Sequence, residues 1–312
     1  MFQHILVPLD GSLRAEEALP VAARIARATG GSILLLQVVN QPMDFSAGLS
    51  PAPLLTEQVI ESEMAEAVDY LQSLCASPIL AGIESKTQIS FGLPAQHILA
   101  VAQVSESDLI ILCSHGRTGF TRWALGSVAR TLVHQSTAPV LVLREGKVLA
   151  SLTMPDVGPL AVLVPLDGSP LAEEALAPTI ALTQALAAPT QSTLHLVQVV
   201  KPLSSSTEEG FVSEFNEEAR SVAGAYLRQA AENVQAVAGH TLALTTSIET
   251  GTDVASTLLS VIEHGNGGKY SLIGISTHGR GGLERWVMGS VTERLLSTAK
   301  LPMLIVRPLK KG

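Results

Sequence analysis

The sequence predicts an α/β fold in two similar copies, each built around a parallel sheet. The first observation is a repeat: Ile5–Leu19 (ILVPLDGSLRAEEAL) returns as Val162–Leu176 (VLVPLDGSPLAEEAL), and Cys113–Val128 returns as Ser276–Val291. The second is that short apolar runs alternate with amphipathic stretches, which is typical of strands covered by helices on both faces. An offset of about 160 residues is too long for a solenoid repeat and fits two whole domains.

Five apolar runs of the first copy predict strands, over His4–Leu9, Ser32–Val39, Lys86–Ile89, Leu109–Cys113 and Val140–Leu143. Between them, apolar residues recur at the three- and four-residue spacing of a helix. The predicted helices cover Leu13–Ala28, Glu57–Leu74, Ala95–Val104 and Ser127–Gln135. In the second copy, Ser169 is a good N-cap and Pro170 suits the first helical position, so a helix should start there.

Two longer segments, Gln41–Thr56 and Lys201–Glu218, hold proline, serine and acidic residues. This composition favours loops over the strand ends. Between the copies, Pro155, Gly158 and Pro159 interrupt any regular element. We therefore expect one domain over residues 1–146, a linker over 147–159 and a second domain over 160–312.

Composition and charge exclude several classes of protein. The net charge is −8 and there is no long basic run, so an extended nucleic-acid surface is not expected. No apolar run reaches the length of about eighteen residues that a membrane span needs. The start of the sequence has no secretion signal, so a cytoplasmic location is expected. The two cysteines, Cys75 and Cys113, are too few for a disulfide framework.

The repeated glycine-rich stretch lies between a predicted strand and a predicted helix, an arrangement that favours an anion site. The first N–H groups of a helix lack internal partners, and the helix dipole adds partial positive charge there. Glycine lets the backbone approach a phosphate closely. Ser127 and Ser290 could donate a hydroxyl, while Asp10 and Asp167, at another strand end, could accept from a ribose hydroxyl or an adenine amine.

Purely structural roles also fit these residues. The serines could be N-caps, with Ser290 and Glu293 forming a capping box, and the two Asp-Gly pairs could be turns. A Walker A motif is absent, because Lys269 is followed by Tyr270 where serine or threonine is required. His115 and His278 are interpreted first as loop residues. No metal-ligand spacing is found among the histidines.

These residues resemble the universal stress protein family in its tandem form. The resemblance covers nearly the whole chain and depends on VPLDGS near each start, HGR and Gly-Ser late in each half, and the closing strand after Pro139 or Pro302. It implies two Rossmann-like domains with strand order 3-2-1-4-5, related by a pseudo-twofold axis. It also implies ATP binding through the motif G-x2-G-x9-G-[ST].

Carried over to this sequence, the resemblance implies nucleotide contacts in each copy. In the first copy they come from Asp10, Val38, Cys113, His115, Gly116, Arg117, Gly126, Ser127 and Val128. In the second they come from Asp167, Val199, Ser276, His278, Gly279, Arg280, Gly289, Ser290 and Val291. Both copies depart from the motif at its first glycine, which is Cys113 in one and Ser276 in the other.

The expected function is therefore binding of an adenine nucleotide in stress response or signalling. The ligand would be ATP, with or without Mg²⁺, or alternatively AMP or ADP. Hydrolysis should be slow at most, because no acid stands in both copies to orient a water molecule. The alternative is an interaction scaffold of the same fold without a nucleotide. An adenylating enzyme is disfavoured, because HIGH-like and SGG-type stretches are missing.

The two copies should pair through their last strands, Val140–Leu143 and Met303–Val306, since an apolar edge strand needs a partner and the fused copy is at high effective concentration. Whether the whole chain also forms a homodimer is left open. A protease site engineered into residues 147–159 provides the test. After cleavage, the halves should still elute together from a sizing column, and separation into two species would contradict the pairing.

The first copy should be the stronger triphosphate site. Glu284 and Glu293 of the second copy stand where the first has Thr121 and Arg130. Charges near a helix start are each worth about 0.3–1 kcal/mol, so the affinities should differ several-fold to about tenfold. ATP titration of Gly126→Val and Gly289→Val checks the ranking. It is wrong if blocking the second site removes most of the binding while blocking the first changes little.

Overall fold

The computed structural model describes residues 1–40, 53–114, 125–144, 152–153, 159–187, 191–203, 209–264, 270–279 and 288–308. The chain divides into two compact units, Met1–Leu141 and Val142–Gly312. The predicted domain boundaries at 146 and 160 stay predictions, as do the pseudo-twofold relation and the pairing of the last strands. No helix in the described ranges is long and apolar enough to cross a membrane.

The first copy alternates strands and helices as predicted. Its strands are β1 (His4–Leu9), β2 (Ser32–Val39), β3 (Ser85–Phe91), β4 (Leu109–Cys113) and β5 (Val140–Leu143). Its helices are α1 (Leu13–Glu16), α2 (Ala18–Thr29), α3 (Pro53–Cys75), α4 (Pro94–Val104) and α5 (Ser127–Gln135). The strand order is β3-β2-β1-β4-β5, and β1 runs parallel to both β2 and β4.

The second copy repeats this plan. Its strands are β6 (Ala161–Leu166), β7 (Ser192–Val200), β8 (Leu242–Thr250), β9 (Leu272–Ser276) and β10 (Met303–Val306). Its helices are α6 (Pro170–Glu173), α7 (Leu176–Ala187), α8 (Glu209–Ala238), α9 (Val254–His264) and α10 (Ser290–Thr298). The order β8-β7-β6-β9-β10 is again 3-2-1-4-5, so the predicted fold class is confirmed in both copies.

Burial explains why the apolar runs form the central strands. Leu6 and Val7 of β1, like Leu163 and Val164 of β6, are fully buried. Consecutive residues of a strand face opposite sides of the sheet, so full burial of neighbours requires helices on both faces. The sheet of each copy is therefore a covered core, and its strand ends are left as the accessible edge.

Proline explains why the first predicted helix is broken. Leu13–Ala28 was predicted as continuous, but the structure separates α1 from α2 at Glu17. Pro20 has no N–H to donate to the carbonyl of Glu16, and its ring crowds that carbonyl. In the second copy, Pro178 stands four residues after Glu174, which is the C-cap of α6. The same break therefore occurs twice for the same reason.

The predicted loop over Lys201–Glu218 is wrong from Glu209 onward, because α8 begins there. This helix packs against β7 and β8. The predicted loop over Gln41–Thr56 similarly ends at Pro53, where α3 begins. Residues 41–52 and 204–208 lie outside the described residues.

Candidate functional site

The candidate site is built from the carboxyl ends of three neighbouring strands. In the second copy, Asp167 directly follows β6, Val199 is the next-to-last residue of β7, and Ser276 ends β9. Because β6 lies between β7 and β9 and is parallel to both, these three ends meet at one edge. Asp10, Val38 and Cys113 hold the corresponding positions on β1, β2 and β4 of the first copy.

A tight turn fixes each aspartate. The Oδ1 atom of Asp167 accepts from the backbone N–H of Ser169 at 3.0 Å and from its hydroxyl at 2.6 Å. In the first copy, Asp10 accepts from Ser12 at 3.1 and 2.6 Å. The intervening glycine has φ of 82° in both copies, a value that favours glycine. The interpretation of these pairs as turns is confirmed.

The same serine also starts the first helix of each copy. The Ser169 Oγ atom accepts from the N–H of Ala172 at 3.2 Å, and Pro170 occupies the first turn. The predicted N-cap is therefore confirmed. Ser12 caps α1 in the same way through Ala15. Each aspartate is thus held by a side chain that is itself fixed at a helix start.

The glycine at position 279 allows the loop after β9 to contact Asp167. A Cβ atom added to Gly279 would overlap the Oδ2 atom of Asp167. Only glycine lets the backbone lie against this carboxylate without moving it. The contact brings two predicted site residues together from separate strand ends.

The helix that follows the glycine-rich stretch begins with a glycine cap. The N-cap residues are Gly126 of α5 and Gly289 of α10. The alternative interpretation of Ser127 and Ser290 as N-caps, with a capping box at Glu293, is therefore wrong, since both serines are already the first helical residues. The cap N–H groups donate backward, from Gly126 to Ser114 O and from Gly289 to Thr277 O, both at 2.8 Å.

This arrangement leaves the helix start suited to an anion. A glycine cap has no side chain to accept from the N–H groups of the first turn. Ser127 and Ser290 are exposed there. Val128 and Val291, the next residues, are half-buried.

Hydrogen bonds tie the residues between β9 and the loop into a fixed bend. The Thr277 hydroxyl lies 2.8 Å from His278 Nδ1, and the His278 N–H donates to Ser276 Oγ at 3.3 Å. The Thr277 N–H donates to Val306 O at 2.9 Å. These contacts favour the interpretation of His278 as a loop residue.

A cleft of about 750 Å³ opens at this edge of the second copy. Three predicted site residues line it, namely Asp167, Val199 and Val291. The charged lining groups are Asp167, Lys201 and Glu218. The cleft therefore joins a carboxylate, the end of β7 and the start of α10 in one space.

One wall of the cleft comes from α8 and was missed by sequence reasoning. Its residues are Phe215, Glu218, Ala219, Val222 and Ala223. Phe215 and Glu218 lie in the segment Lys201–Glu218, which was interpreted as a loop because it is polar and acidic, and the other three follow it directly. The three- and four-residue spacing of its apolar members was the signal that could have placed them on a helix.

Sequence reasoning also missed two glutamines, Gln37 and Gln198, which occupy the same strand position in the two copies. Gln198 pairs in register with Leu166 on β6, and Gln37 pairs with Leu9 on β1. Gln198 is 6% exposed and lines the cleft. The side-chain oxygens of both glutamines are buried and have no hydrogen-bond partner within the described ranges.

Tyr70 of α3 lies near Asp10 in the first copy. Burial, followed by the negative charges of Glu16 and Asp10, raises the pKa of its phenol. The phenol therefore keeps its proton throughout the physiological range. It adds a neutral hydroxyl beside the carboxylates of this copy.

Four predicted site residues lie outside the described residues: His115, Gly116, Arg117 and Arg280. Of the others, the structure brings Asp167, Val199, Gly279 and Val291 together around one cleft or in contact with its lining. Thr277 is hydrogen-bonded to His278 and Gly289, and the His278 N–H donates to Ser276, so these residues form one bend. The ligand roles of all these residues remain predictions.

Comparison with known proteins identifies the class to which this fold and repeat belong. The model of the universal stress protein family matches residues 1–144 and again residues 161–307. The chain therefore belongs to the universal stress protein family and carries two of its domains in tandem.

Some relatives match about half of this chain, and others match nearly all of it. A universal stress protein of Methanocaldococcus jannaschii is 27% identical over 147 residues, which are 47% of this chain and 85% of that protein. YxiE of Bacillus subtilis is 28% identical over 148 residues, covering 46% of this chain and all of that protein. The crystal structure of a universal stress protein from Archaeoglobus fulgidus covers 98% of this chain and 99% of its own, with a TM-score of 0.70 and 21% identity. That similarity shows the fold.

The close contact at position 279 makes a stability prediction. Gly279→Ala should lower the free energy of unfolding by about 1–3 kcal/mol, because the added methyl overlaps Asp167 and something must shift. Chemical denaturation of the full chain measures this. The matched control is Gly224→Ala within α8, where a Cβ would meet only Ile248 Cδ1 at 3.4 Å and Arg228 Nη1 at 3.5 Å. That variant should be neutral or more stable by up to about 1 kcal/mol, and equal behaviour of both variants would contradict the prediction.

Proposed function

We propose that this protein binds an adenine nucleotide, with ATP as the ligand, in the cleft at the strand ends of each copy, and acts in stress response or signalling. The observation that carries the proposal is the convergence of three groups on one cleft of the second copy. These are the Asp167 carboxylate, the end of β7 at Val199 and the first turn of α10 at Val291.

Each group suits one part of a nucleotide. The carboxylate accepts hydrogen bonds from ribose hydroxyls. The backbone at Val199 offers an N–H and a C=O, which match the donor and acceptor edge of adenine. The first turn of α10 offers to phosphate the positive end of the helix dipole and N–H groups that have no partner within the helix.

The size and lining of the cleft support the same ligand. A volume of about 750 Å³ is within the usual range for small-molecule sites, which is about 300–1,000 Å³. Apolar side chains from α8 and α9, among them Ala219, Val222 and Leu258, give a flat base an apolar wall. Lys201 supplies a cation at the end of β7. A cation and an uncapped helix start together favour a ligand with phosphate groups.

Hydrolysis at ordinary enzyme rates is not part of the proposal. Phosphoryl transfer requires neutralisation of charge and an oriented water molecule. The acid shared by both copies at this edge is the turn aspartate, and one of its oxygens is already held by Ser12 or Ser169. The conserved arrangement between the two copies is thus suited to holding a nucleotide.

The second candidate is an interaction scaffold without a nucleotide. The observation that favours it is the replacement of the first motif glycine by Cys113 and Ser276. Native and denaturing mass spectra of the purified protein separate the two candidates. A mass increment equal to ATP, ADP or AMP that disappears on denaturation supports the proposal. A protein that carries no nucleotide and binds none on addition of ATP supports the scaffold.

Replacing the turn aspartates should weaken binding of ATP. In the double variant Asp10→Asn/Asp167→Asn, the amide oxygen can still accept from Ser12 or Ser169, but an NH₂ group replaces the second carboxylate oxygen. A hydrogen bond to a charged group is worth about 1.5–3 kcal/mol, so the affinity should fall by about tenfold or more. Isothermal titration calorimetry with ATP measures the change.

The matched control is Asp253→Asn. Asp253 is exposed, accepts from the N–H of Ser256 at 2.7 Å and pairs with Arg294 at 3.0 Å. It does not itself line the cleft, although the next residue, Val254, does. Its replacement should leave the affinity for ATP unchanged. An affinity that is unaltered in the double aspartate variant, or reduced equally in the control, would contradict the proposed role of the turn aspartates.

A further inference from the structure

Gln37 and Gln198 occupy the same strand position in the two copies, and no hydrogen bond in the described part of the chain satisfies the side-chain oxygen of either. A buried acceptor without a partner destabilises a folded protein, because it has lost its hydrogen bond to water. Gln198 is more than nine-tenths buried, and its Oε1 atom has no partner in the described part of the chain. Gln37, at the same strand position of the other copy, is half-buried as a residue, but its Oε1 atom is also buried without a partner among the described residues. Because the same destabilising feature occurs at the same position in both copies, it indicates a role in ligand binding that the two sites share.

The position of these amides is the wall of the candidate site. Gln198 lines the cleft together with Asp167 and Val199. Its register partner is Leu166, the residue that precedes Asp167. In the first copy, Gln37 Nε2 lies 3.9 Å from where a Cβ of Gly11 would be, so the amide lies directly beside the Asp-Gly turn.

The hydrogen-bonding properties of the glutamine amide limit which group of a nucleotide it can bind. The terminal torsion of glutamine is broad and roughly twofold, so either the oxygen or the NH₂ group can face a ligand. Phosphate oxygens only accept hydrogen bonds, and the adenine amine only donates. Adenine can pair with a glutamine amide through its amine and a neighbouring ring nitrogen, but in the proposed function the backbone at Val199 takes an edge of the base. A ribose hydroxyl both donates and accepts, so it satisfies the amide in either orientation.

We infer that Gln198, and Gln37 in the first copy, recognise a ribose hydroxyl and make the sites selective for ribonucleotides over deoxyribonucleotides. This inference rests on the proposed nucleotide function. The turn aspartate and the glutamine amide form two adjacent polar groups on one wall, and the vicinal hydroxyls of ribose form two adjacent groups on the ligand. The carboxylate takes one hydroxyl and the amide takes the other.

The test compares three nucleotides on two proteins. ATP, 2′-deoxyATP and 3′-deoxyATP are titrated by calorimetry into the wild-type full chain and into the double variant Gln37→Leu/Gln198→Leu. The variant should bind ATP about five- to tenfold more weakly per site, as expected for loss of one neutral hydrogen bond in a desolvated site. For the deoxy analogue that lacks the recognised hydroxyl, the two proteins should bind equally.

Thermal denaturation without nucleotide distinguishes a ligand-binding amide from a structural one. Because the glutamine oxygens have no partner in the described ranges, the leucine variant should melt at the wild-type temperature or above it. The matched control is Gln184→Leu, which removes an amide that donates to Thr241 Oγ1 at 2.9 Å and to Ala238 O at 3.5 Å. The control should melt at a lower temperature and bind ATP as the wild type does. Gln37→Met/Gln198→Met replaces the leucine pair if that variant does not fold.

Three results would contradict the inference. Unchanged affinity for ATP in the leucine variant would show that the amides do not touch the ligand. An equal loss for all three nucleotides would show that they contact the base or act through the scaffold. If the wild-type chain binds none of the three nucleotides, the proposed function fails together with this inference. If it binds ATP and the variant shows either of the first two results, only the inference fails.

Discussion

The hydrogen bonds between the turn aspartate and the serine two residues later are the interaction on which the site depends. In the second copy, one oxygen of Asp167 receives both the N–H and the hydroxyl of Ser169, and that hydroxyl in turn accepts from the first turn of α6. The end of the central strand, the turn and the start of the first helix are thus fixed as one unit. The other carboxylate oxygen is then held against Gly279. Without this fixed turn, the carboxylate would have no defined position relative to the loop after β9.

The sequence predicts most strands of the first copy well, because a strand that is buried on both faces appears as an uninterrupted run of apolar residues. β1, β2, β4 and β5 have the predicted bounds, since each is an apolar run that polar residues interrupt sharply. β3 was predicted two residues too short at one end and one at the other. Its burial alternates less clearly, because it lies at the edge of its sheet, where one side has no neighbouring strand and polar residues are tolerated.

The predictions that failed depend on features that a short stretch of sequence does not reveal. The first turns of α8 were missed because an exposed helix surface has the same polar and acidic composition as a loop. The capping box was wrong because α10 begins one residue earlier, with Gly289 as its cap. The glutamines were missed because a single polar residue at the end of an apolar strand carries no periodic signal. Only the structure shows that their oxygens are buried and lack a partner among the described residues, at a cost of about 1–3 kcal/mol for each group.

The departure from the family motif at Cys113 and Ser276 falls where the structure does not require glycine. Ser276 is the last residue of β9 and pairs in register with Val306, so its backbone is extended, a conformation that any residue adopts. Its hydroxyl accepts from the His278 N–H, and its carbonyl accepts from the Thr292 hydroxyl at 2.9 Å, so the side chain helps to close the bend. Positions 279 and 289 differ, because a Cβ would overlap Asp167 at the first and approach the Thr277 carbonyl oxygen to 3.3 Å at the second. Glycine is thus retained in the second copy at one position where a Cβ would overlap a neighbour and at one where the contact would be tight. It is replaced at the one position where a side chain has space and a hydrogen-bonding role.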